Sequence, residues 1–426
     1  MGSCFERKVR FIKFQTSIPA PAQEIIDKLN EHGYEAYVVG GCVRDMILGR
    51  EPGDWDITTS ALPAEVKKVF RRTVDTGIQH GTVTVMMGKE GYEVTTYRID
   101  GEYSDGRHPN SVQFTPNLIE DLKRRDFTIN AMAYNSRTGF VDQFGGVEDL
   151  KQGVIRCVGN PIDRFTEDAL RILRAIRFSA QLGFDIEEQT KKAISRIAPN
   201  MIHVSKERIQ VELTKLLLSS HPQYISLVYE LGISPYVSEQ FHRSYTGICG
   251  EHPIPPIPVG IPAVKHMRWA AFLRECTPQE AGRILKDLKL DNDTIFRVKV
   301  LTERIHMGED HPSSKIWVRR MMSQMEDSLF DDWLTLRTSL ALESGLSCPE
   351  ELAWLSEIRR LGEEIRKEGD CLRLKDLAVT GHDIMAAGVK PGKEVGDTLT
   401  RLLDMVLEEP KRNRREWLLQ HVTAEL

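Results

Sequence analysis

Two aspartates separated by one residue, Asp54 and Asp56, follow a Gly40-Gly41 turn within seventeen residues of the sequence. Alternate residues of a strand point to the same side, so a strand over residues 54–58 would place both carboxylates side by side. Mg²⁺ prefers such oxygen ligands and also binds substrate phosphates, and glycine lets backbone N–H groups approach a triphosphate. This order favours metal-assisted phosphoryl chemistry, with a solvated loop as the alternative.

Two further side chains can serve the same chemistry. Arg44 lies one turn into the helix that follows the glycines, where it can reach the phosphates that Gly41 would cradle. Glu93 lies on a predicted strand and can help to deprotonate an attacking hydroxyl group, since a positioned carboxylate is a general base. A solvent-facing strand glutamate is the alternative for Glu93.

A third group of side chains has the spacing to recognise a base. If residues 167–181 form one helix, Asp168 and Arg171 share a face and present an acceptor beside a donor. Cytosine and adenine each carry an amino donor beside a ring-nitrogen acceptor, whereas uracil and guanine present the opposite order. The pair would therefore select C and A, because a mismatch leaves buried polar groups unpaired. An exposed salt bridge is the alternative.

These residues need strands and helices that alternate along roughly the first 150 residues, followed by helices. Apolar spacing predicts strands at 34–39, 54–58, 82–87 and 92–99, with a hairpin turn at 88–91. It predicts helices at 22–32, 43–48, 167–181, 187–197 and 206–218. Little strand signal follows, and the proline-rich stretch 246–262 reads as a loop or linker.

The pattern GGxVRDxxLGRxxxDxD resembles the tRNA nucleotidyltransferase/poly(A) polymerase family, in the branch that holds the class II CCA-adding enzymes. The segments 121–131, similar to RRDFTxNA, and 167–178, similar to the family's template motif, extend this resemblance over about residues 33–218. The tail around 376–383 looks like Firmicute-type members. The resemblance implies an α+β multidomain protein, with a polymerase-β-like head of mixed sheet and helices followed by an all-α neck, body and tail.

The resemblance also assigns roles to residues. Arg125 is implied as a triphosphate ligand, and Asp126 and Asn130 match positions that contact the incoming sugar or organise the site. Arg174 and Arg177 continue the stripe of Arg171 and suit phosphates. Ser205 is expected to cap the next helix, with Glu207 and Arg208 supporting the preceding one. His382-Asp383 is expected to be a helix cap rather than a metal-binding phosphohydrolase dyad.

Composition limits the class of protein and its cellular compartment. The 426 residues include 57 Lys or Arg and 62 Asp or Glu, a formal charge of −5, and 41% are apolar. This composition is globular, and the sequence has no apolar run of the roughly 18 residues that a membrane helix needs. Seven scattered cysteines without CxxC spacing favour reduced thiols in the cytoplasm over a disulfide framework or zinc site.

The predicted function is template-independent addition of CCA to the 3′ end of tRNA from CTP and ATP by two-metal-ion nucleotidyl transfer, which releases pyrophosphate. Mg²⁺ is the expected cofactor, and no protein partner is implied. The expected division is a head at 1–155, a neck at 156–218, a body at 219–330 and a tail at 331–426. The polar segment 100–111 fills the position of the family's flexible loop and argues for use of ATP. A poly(A) polymerase or A-adding relative, and an inactive RNA-binding module, are the alternatives.

A basic run near the C-terminus is the predicted tRNA contact. Its side chains can bind RNA phosphates, or they can form a solvated helix face. The run comprises Lys411, Arg412, Arg414 and Arg415.

Overall fold

The computed structural model describes residues 17–101, 112–246, 257–258, 260–308, 310–343 and 349–423. By internal contacts the chain divides into two units, residues 1–254 with 287–289, and residues 255–286 with 290–426. The predicted loop at 100–111 and the proline-rich stretch at 246–262 lie largely outside the described residues. None of the described helices is both long and apolar enough to cross a membrane.

The first unit is built on a seven-stranded mixed sheet with the strand order β3-β4-β5-β2-β1-β8-β9. Strands β2 and β5 run parallel, and the other neighbouring pairs are antiparallel. The strands are β1 (Ala36–Val39), β2 (Ile57–Thr59), β3 (Thr73–Gly77), β4 (Thr82–Met87), β5 (Glu90–Thr96), β8 (Ala133–Asn135) and β9 (Gly139–Val141).

Two short strand pairs complete the β-structure. Strands β6 (Arg98–Asp100) and β7 (Val112–Phe114) pair antiparallel, and β10 (Val154–Ile155) and β11 (Asp185–Ile186) pair parallel. No strand follows Ile186 among the described residues, as predicted.

Three predicted strands have different bounds in the structure, and the one predicted at 34–39 begins at Ala36. The strand predicted at 54–58 begins at Ile57, so Asp54 and Asp56 lie in the segment that leads into β2. The Asp56 carbonyl still accepts a hydrogen bond from the Val39 backbone, 3.0 Å away, which continues the pairing by one residue. The strand predicted at 92–99 is interrupted at Tyr97 and resumes as β6 at Arg98. Tyr97 is fully buried in a cluster with Tyr37, Leu118 and Leu122.

Helices cover the sheet and then form the rest of this unit. Helix α1 contacts β1 and β2, and α4 contributes Leu118 and Leu122 to the cluster beneath Tyr97. The helices of this unit are α1 (Ala20–Glu31), α2 (Gly41–Leu48), α3 (Pro63–Val69), α4 (Leu118–Lys123), α5 (Gly146–Gln152), α6 (Pro161–Glu167), α7 (Leu170–Leu182), α8 (Glu188–Ile197), α9 (Lys206–Leu217), α10 (Ser226–Glu230), α11 (Ser234–Val237) and α12 (Glu239–Thr246).

The single helix predicted at 167–181 is wrong, because the chain forms α6 and α7 with a break at Asp168 and Ala169. Asp168 has extended backbone angles, φ −146° and ψ 103°, and its side-chain Oδ1 accepts a hydrogen bond from the Leu170 N–H at 3.0 Å. A short acidic side chain that satisfies an otherwise unpaired N–H in this way is typical of a helix start. Asp168 therefore caps α7 and does not lie within it.

The second unit is helical throughout its described residues. Buried side chains such as Trp269, Phe330 and Trp333 form its core, and a separate cluster that includes Ile384, Leu402 and Leu418 holds the C-terminal helices together. The helices are α13 (Lys265–Phe272), α14 (Pro278–Asp287), α15 (Asn292–Arg304), α16 (Lys315–Ser323), α17 (Asp327–Glu343), α18 (Pro349–Glu368), α19 (Gly381–Ala386), α20 (Lys393–Glu408) and α21 (Arg415–Thr423).

Candidate nucleotidyl-transfer site

Three acidic side chains that the sequence indicated, Asp54, Asp56 and Glu93, line one open cleft of about 680 Å³. The register of the parallel strands explains this, because Ile57 of β2 lies opposite Val94 of β5. The residues that precede these two, Asp56 and Glu93, are therefore neighbours at the same edge of the sheet. The sheet thus brings together a carboxylate pair and a third carboxylate that are 37 residues apart in the sequence.

The three carboxylates repel one another electrostatically. Desolvation by the cleft walls raises the pKa of Asp56, the Arg125 guanidinium lowers it, and the charge of Asp54 raises it again, with a net upward shift. Desolvation, followed by the charges of Asp56 and Asp54, raises the pKa of Glu93. A cation bound between the carboxylates would relieve this repulsion.

This donor set fits a divalent metal that is completed by other ligands. Among the described residues, no group of three or more His, Cys, Asp or Glu side chains is arranged to hold a metal ion by itself. Asp54 and Asp56 supply hard oxygen ligands, and Mg²⁺ is usually bound by one or two carboxylates together with water and substrate phosphates. The residues present therefore fit a hard divalent metal ion that is bound together with a phosphate substrate.

The glycine turn and Arg125 form a compact cradle, defined here as Gly40, Gly41 and Arg125. Gly40 has φ +81° and ψ −129°, and a Cβ atom at this position would lie 3.0 Å from Nη1 of Arg125. Only glycine tolerates both this backbone conformation and this close approach. Arg125 also lies 3.4 Å from buried Asp121, while its buried Nε atom has no hydrogen-bond partner among the described residues. Buried donors are normally paired, so this Nε is an exception within the cradle, and the role of Arg125 as a triphosphate ligand stays a prediction.

Arg44 lies at the start of α2, but its guanidinium is bonded to protein groups. Nε and Nη2 donate to the two carboxylate oxygens of Asp45 at 2.9 and 3.0 Å, and Nη1 donates to Oδ1 of Asn130 at 2.7 Å. The predicted phosphate contact of Arg44 stays a prediction, and it requires one of these bonds to be exchanged.

Asp126 joins the second motif to α7. Its Oδ2 accepts hydrogen bonds from Nε and Nη2 of Arg174 at 2.9 and 2.7 Å, and its Oδ1 accepts from Nδ2 of Asn130 at 3.3 Å. Burial alone would raise the pKa of Asp126, but the charge and hydrogen bonds of Arg174 lower it to about 2. Arg174, predicted as a phosphate ligand, therefore holds a buried carboxylate in this structure.

The two predicted base-selecting residues lie together at the start of α7, although the break in the helix changes their relationship. The Arg171 N–H donates to the Asp168 carbonyl at 3.0 Å. Nη2 and Nη1 of Arg208 lie 2.7 and 3.3 Å from the two carboxylate oxygens of Asp168, and Nη1 of Arg171 lies 2.5 Å from Oε2 of Glu167. Arg208, predicted with Glu207 to support the preceding helix, thus holds the residue at the start of α7.

Arg177 packs inside the unit rather than at an open surface. It is 7% exposed, donates from Nε to Oε2 of Glu212 on α9 at 2.5 Å, and lies with its Cζ 3.9 Å from the ring centre of Phe178. A buried guanidinium with these partners favours a structural role, so its phosphate role stays a prediction without support from its position. Ser205 precedes α9 as predicted, but its side chain forms no capping hydrogen bond.

The basic run of the second unit lies between α20 and α21, and its four cations have different surroundings. Arg415 pairs with Asp383 at 2.9 Å, and Arg412 pairs with Glu409 at 3.2 Å and lies over the Trp417 ring. The side chains of Lys411 and Arg414 are exposed, and neither forms an ion pair with an acidic side chain in the described part of the chain. Asp383 also completes the capping box of α19 with Thr380, which confirms the predicted helix cap.

Several residues that organise the site were not assigned by sequence reasoning. Buried Asp121 bonds Arg124, Arg125 and Thr58, and Glu212 bonds Arg177. Glu167 was near enough in sequence for its i,i+4 spacing to Arg171 to reveal the pair. The pairs of Asp121 with Arg124 and Arg125 also have helical i,i+3 and i,i+4 spacing. The pairs Asp121–Thr58 and Arg177–Glu212 join residues 63 and 35 positions apart, and only the fold reveals them.

Comparison with known proteins places this geometry in a family. Three family models match the chain: the poly(A) polymerase head domain over residues 36–156, the probable RNA and SrmB-binding site of polymerase A over 183–244, and tRNA nucleotidyltransferase domain 2 over 264–422.

Individual relatives match over half or nearly all of the chain. The CCA-adding enzyme of Bacillus licheniformis is 38% identical over 409 residues, which cover 93% of this chain and 97% of that protein. The CCA-adding enzyme of Leuconostoc mesenteroides is 56% identical over 199 residues, about half of each chain.

Solved structures match as well. The Bacillus stearothermophilus CCA-adding enzyme in complex with CTP has a TM-score of 0.76 at 32% identity, with 95% of this chain and 98% of that chain covered. The Thermotoga maritima CCA-adding enzyme complexed with tRNA, at 21% identity and a TM-score of 0.60, shares the fold. The predicted α+β head followed by helical regions is therefore confirmed, and the chain belongs to the CCA-adding enzyme family of nucleotidyltransferases.

Proposed function

We propose that this protein adds C, C and A in turn to the 3′ end of tRNA, with CTP and ATP as donors and pyrophosphate as the second product. The observation that carries this proposal is the cleft of Asp54, Asp56 and Glu93 close to the Gly40 and Arg125 cradle. Nucleotidyl transfer requires both parts, a hydroxyl group to be activated and a triphosphate to be held. The relatives named CCA-adding enzymes support the choice of tRNA and of these two nucleotides.

The chemistry follows from the positions of these side chains. The terminal 3′-hydroxyl oxygen of the RNA attacks the α-phosphorus, and the bond from that phosphorus to the pyrophosphate oxygen breaks. Glu93, whose raised pKa makes it a better base, accepts the hydroxyl proton. Arg125 donates hydrogen bonds to the triphosphate and neutralises part of the charge that the leaving pyrophosphate carries.

We propose that Asp54 and Asp56 hold Mg²⁺ with the substrate phosphates. When bound, the metal would activate the attacking hydroxyl and stabilise the leaving oxygen.

Base selection rests on Asp168 and Arg171, which present an acceptor and a donor at the start of α7. Each is bonded to protein in the structure, Asp168 to Arg208 and Arg171 to Glu167. A carboxylate has four lone-pair positions and a guanidinium has five N–H groups, so each side chain can keep a protein bond and form a bond to the base.

The four-part division with a head at 1–155, a neck at 156–218, a body at 219–330 and a tail at 331–426 is proposed with this function. In the tail, Lys411 and Arg414 are the proposed tRNA phosphate contacts, because their exposed cations form no ion pair with a described acidic residue, whereas Arg412 and Arg415 are paired. Since the substrate is tRNA, we infer a cytoplasmic site of action.

The test is incorporation of labelled CTP and ATP into tRNA transcripts that end before CCA, before CA or before A. Three additions followed by a stop support the proposal. Open-ended addition of A indicates a poly(A) polymerase, and addition to the last transcript alone indicates an A-adding enzyme. Binding of tRNA without incorporation indicates an inactive RNA-binding module.

A further inference from the structure

One buried carboxylate of the first unit, Asp121 of α4, has no part in the proposed chemistry. Its side chain is 0% exposed. Burial alone would raise the pKa of Asp121, but the charges of Arg124 and Arg125 lower that pKa below its ordinary value, so the carboxylate is ionised. A buried charge is tolerated only when it is paired and hydrogen-bonded, so the partners of Asp121 indicate its role.

The two oxygens of Asp121 bind different parts of the unit. Oδ1 accepts hydrogen bonds from Nε and Nη2 of Arg124 at 3.0 and 2.8 Å, and from the Arg98 backbone N–H at 3.3 Å. Oδ2 accepts from Nη2 of Arg125 at 3.4 Å and from the Thr58 hydroxyl at 3.3 Å. Oδ1 therefore holds the end of α4 against β6, and Oδ2 joins Arg125 of the cradle to β2.

The position of Arg125 depends on this contact. Within the part of the chain that the structure describes, Asp121 is the only hydrogen-bond partner of the Arg125 guanidinium. A guanidinium has five N–H groups, so most of them stay available to a ligand. Because an arginine side chain has several rotatable bonds, this single contact determines where its remaining donors lie.

Thr58 connects the same carboxylate oxygen to the acidic cleft. It is fully buried in β2, two residues after Asp56, and its hydroxyl also lies 3.2 Å from the carbonyl oxygen of Thr95 on β5, the strand of Glu93. Oδ2 of Asp121 thus links Arg125 to the two strands that carry Asp56 and Glu93. Transfer requires a constant distance between the group that holds the phosphates and the carboxylates, because the reacting atoms must be aligned.

We propose that Asp121 is a positioning residue that, together with Thr58, fixes the Arg125 guanidinium relative to the aspartate pair. Asp121 acts only through Arg125 and makes no contact with nucleotide or metal. The inference rests on the proposed function, because that function makes Arg125 the triphosphate ligand. Without the charge of Asp121, the adjacent guanidinium groups of Arg124 and Arg125 would repel each other without compensation, and Arg125 would turn away from the cradle.

The experiment removes the charge and the bridging hydroxyl separately. Asp121→Asn keeps the shape of the side chain but removes its charge, and Thr58→Val keeps the charge but removes the hydroxyl. The first readout is the Kd for inorganic tripolyphosphate, measured by calorimetry with Mg²⁺ and without tRNA, which tests the cradle without a base or a sugar. The others are KM for CTP, KM for tRNA and the melting temperature.

Each variant has a matched control that removes a buried hydrogen bond elsewhere. Thr59→Val is the control for Thr58→Val, because Thr59 is the next residue of β2, is equally buried, and donates to the Glu35 carbonyl at 2.6 Å instead. Asp370→Asn is the control for Asp121→Asn, because Asp370 is a buried carboxylate of the second unit that pairs with Arg319 at 2.6 Å. The controls therefore report the effect of lost stability alone.

Asp121→Asn should raise the Kd for tripolyphosphate and KM for CTP by about tenfold or more, the worth of a hydrogen bond to a charged group. Thr58→Val should raise both by about threefold, as expected for a neutral hydrogen bond. KM for tRNA should stay within about twofold, since binding of the other substrate is not affected. The controls should lower the melting temperature but leave both nucleotide readouts within about twofold of the wild type.

The inference is overturned if Asp121→Asn binds tripolyphosphate as well as Asp370→Asn does, or if Thr58→Val and Thr59→Val have the same Kd. If Asp121→Asn does not fold, the comparison of the two threonine variants decides. A wild type that does not bind tripolyphosphate also overturns the inference. A wild type that binds it but incorporates no CTP refutes the proposed function instead, and the Kd values still decide the role of Asp121.

Discussion

Arg208 of helix α9 holds both carboxylate oxygens of Asp168, with nitrogen–oxygen distances of 2.7 and 3.3 Å. The same carboxylate caps α7 through the Leu170 N–H. Asp168 is therefore fixed from two sides before any base arrives, and a preorganised acceptor discriminates between bases better than a mobile one.

Replacement of Asp168 should relax base selection. We expect Asp168→Ala to incorporate UTP and GTP at rates much closer to those of CTP and ATP, because the acceptor that rejects a carbonyl is gone. The measurement is kcat/KM for all four nucleotides, with Asp163→Ala, an exposed aspartate of α6, as the control. Metal binding should be intact, and unchanged selectivity would contradict the base-pairing argument.

Removal of either aspartate of the pair should abolish transfer. Asp54→Asn and Asp56→Asn each halve the anionic ligand set, and we expect single-turnover incorporation to fall by about a thousandfold or more. Binding of tRNA, measured by fluorescence anisotropy, should be retained, since the pair is no RNA phosphate contact. Near-normal incorporation by both variants would show that the pair holds no essential metal.

A side chain at Gly40 should weaken the cradle for both nucleotides. The backbone at this position has φ +81°, which an L-residue adopts only with a strain of roughly 1–3 kcal/mol, and the added Cβ atom would lie 3.0 Å from Nη1 of Arg125. We expect Gly40→Ala to raise KM for CTP and ATP alike by about tenfold. Gly396→Ala is the control, because its Cβ atom would meet nothing within 4 Å. An unchanged KM would indicate that the turn does not hold the triphosphate.

Stability should depend on pH through Asp126. Its pKa is about 2 in the folded protein against an ordinary 3.8, so its ionised form stabilises the fold above pH 4, by about 2 kcal/mol. This contribution is lost as the pH falls from about 4 towards 2. Denaturant unfolding of the wild type and Asp126→Asn at pH 6 and pH 3 measures it. The stability difference between them should shrink at pH 3, and a constant difference would contradict the assignment.

Two of the four cations in the basic run should matter for tRNA and two for the fold. We expect Lys411→Ala and Arg414→Ala to weaken tRNA binding several-fold and to reduce its salt dependence, because each removes one phosphate contact. Arg415→Ala should leave binding nearly unchanged while it removes the ion pair with Asp383. Equal losses of affinity in all three variants would contradict this division.

Much of this site was predictable because its residues are close in sequence or belong to periodic elements. The Asp54/Asp56 pair, the glycine turn and the strand of Glu93 all follow from local spacing, and β4 was predicted at its observed bounds. The break before α7 was not predictable, because the apolar spacing continues through it although the backbone at Asp168 is extended. The pairs Arg177–Glu212 and Asp121–Thr58 depend on long-range packing, which no local pattern encodes.

The two arginines nearest the glycine turn differ in the hydrogen bonds that they would lose on binding a ligand. Arg44 already has three hydrogen bonds to Asp45 and Asn130, so a bond to phosphate replaces one of these, and the net free energy is the difference between the two. Arg125 has a buried Nε without a partner, so a ligand oxygen there relieves an existing desolvation penalty. With the triphosphate bound as proposed, Arg125 would therefore supply most of the affinity. Arg44 would add affinity only for ligands whose bond is stronger than the protein bond it replaces.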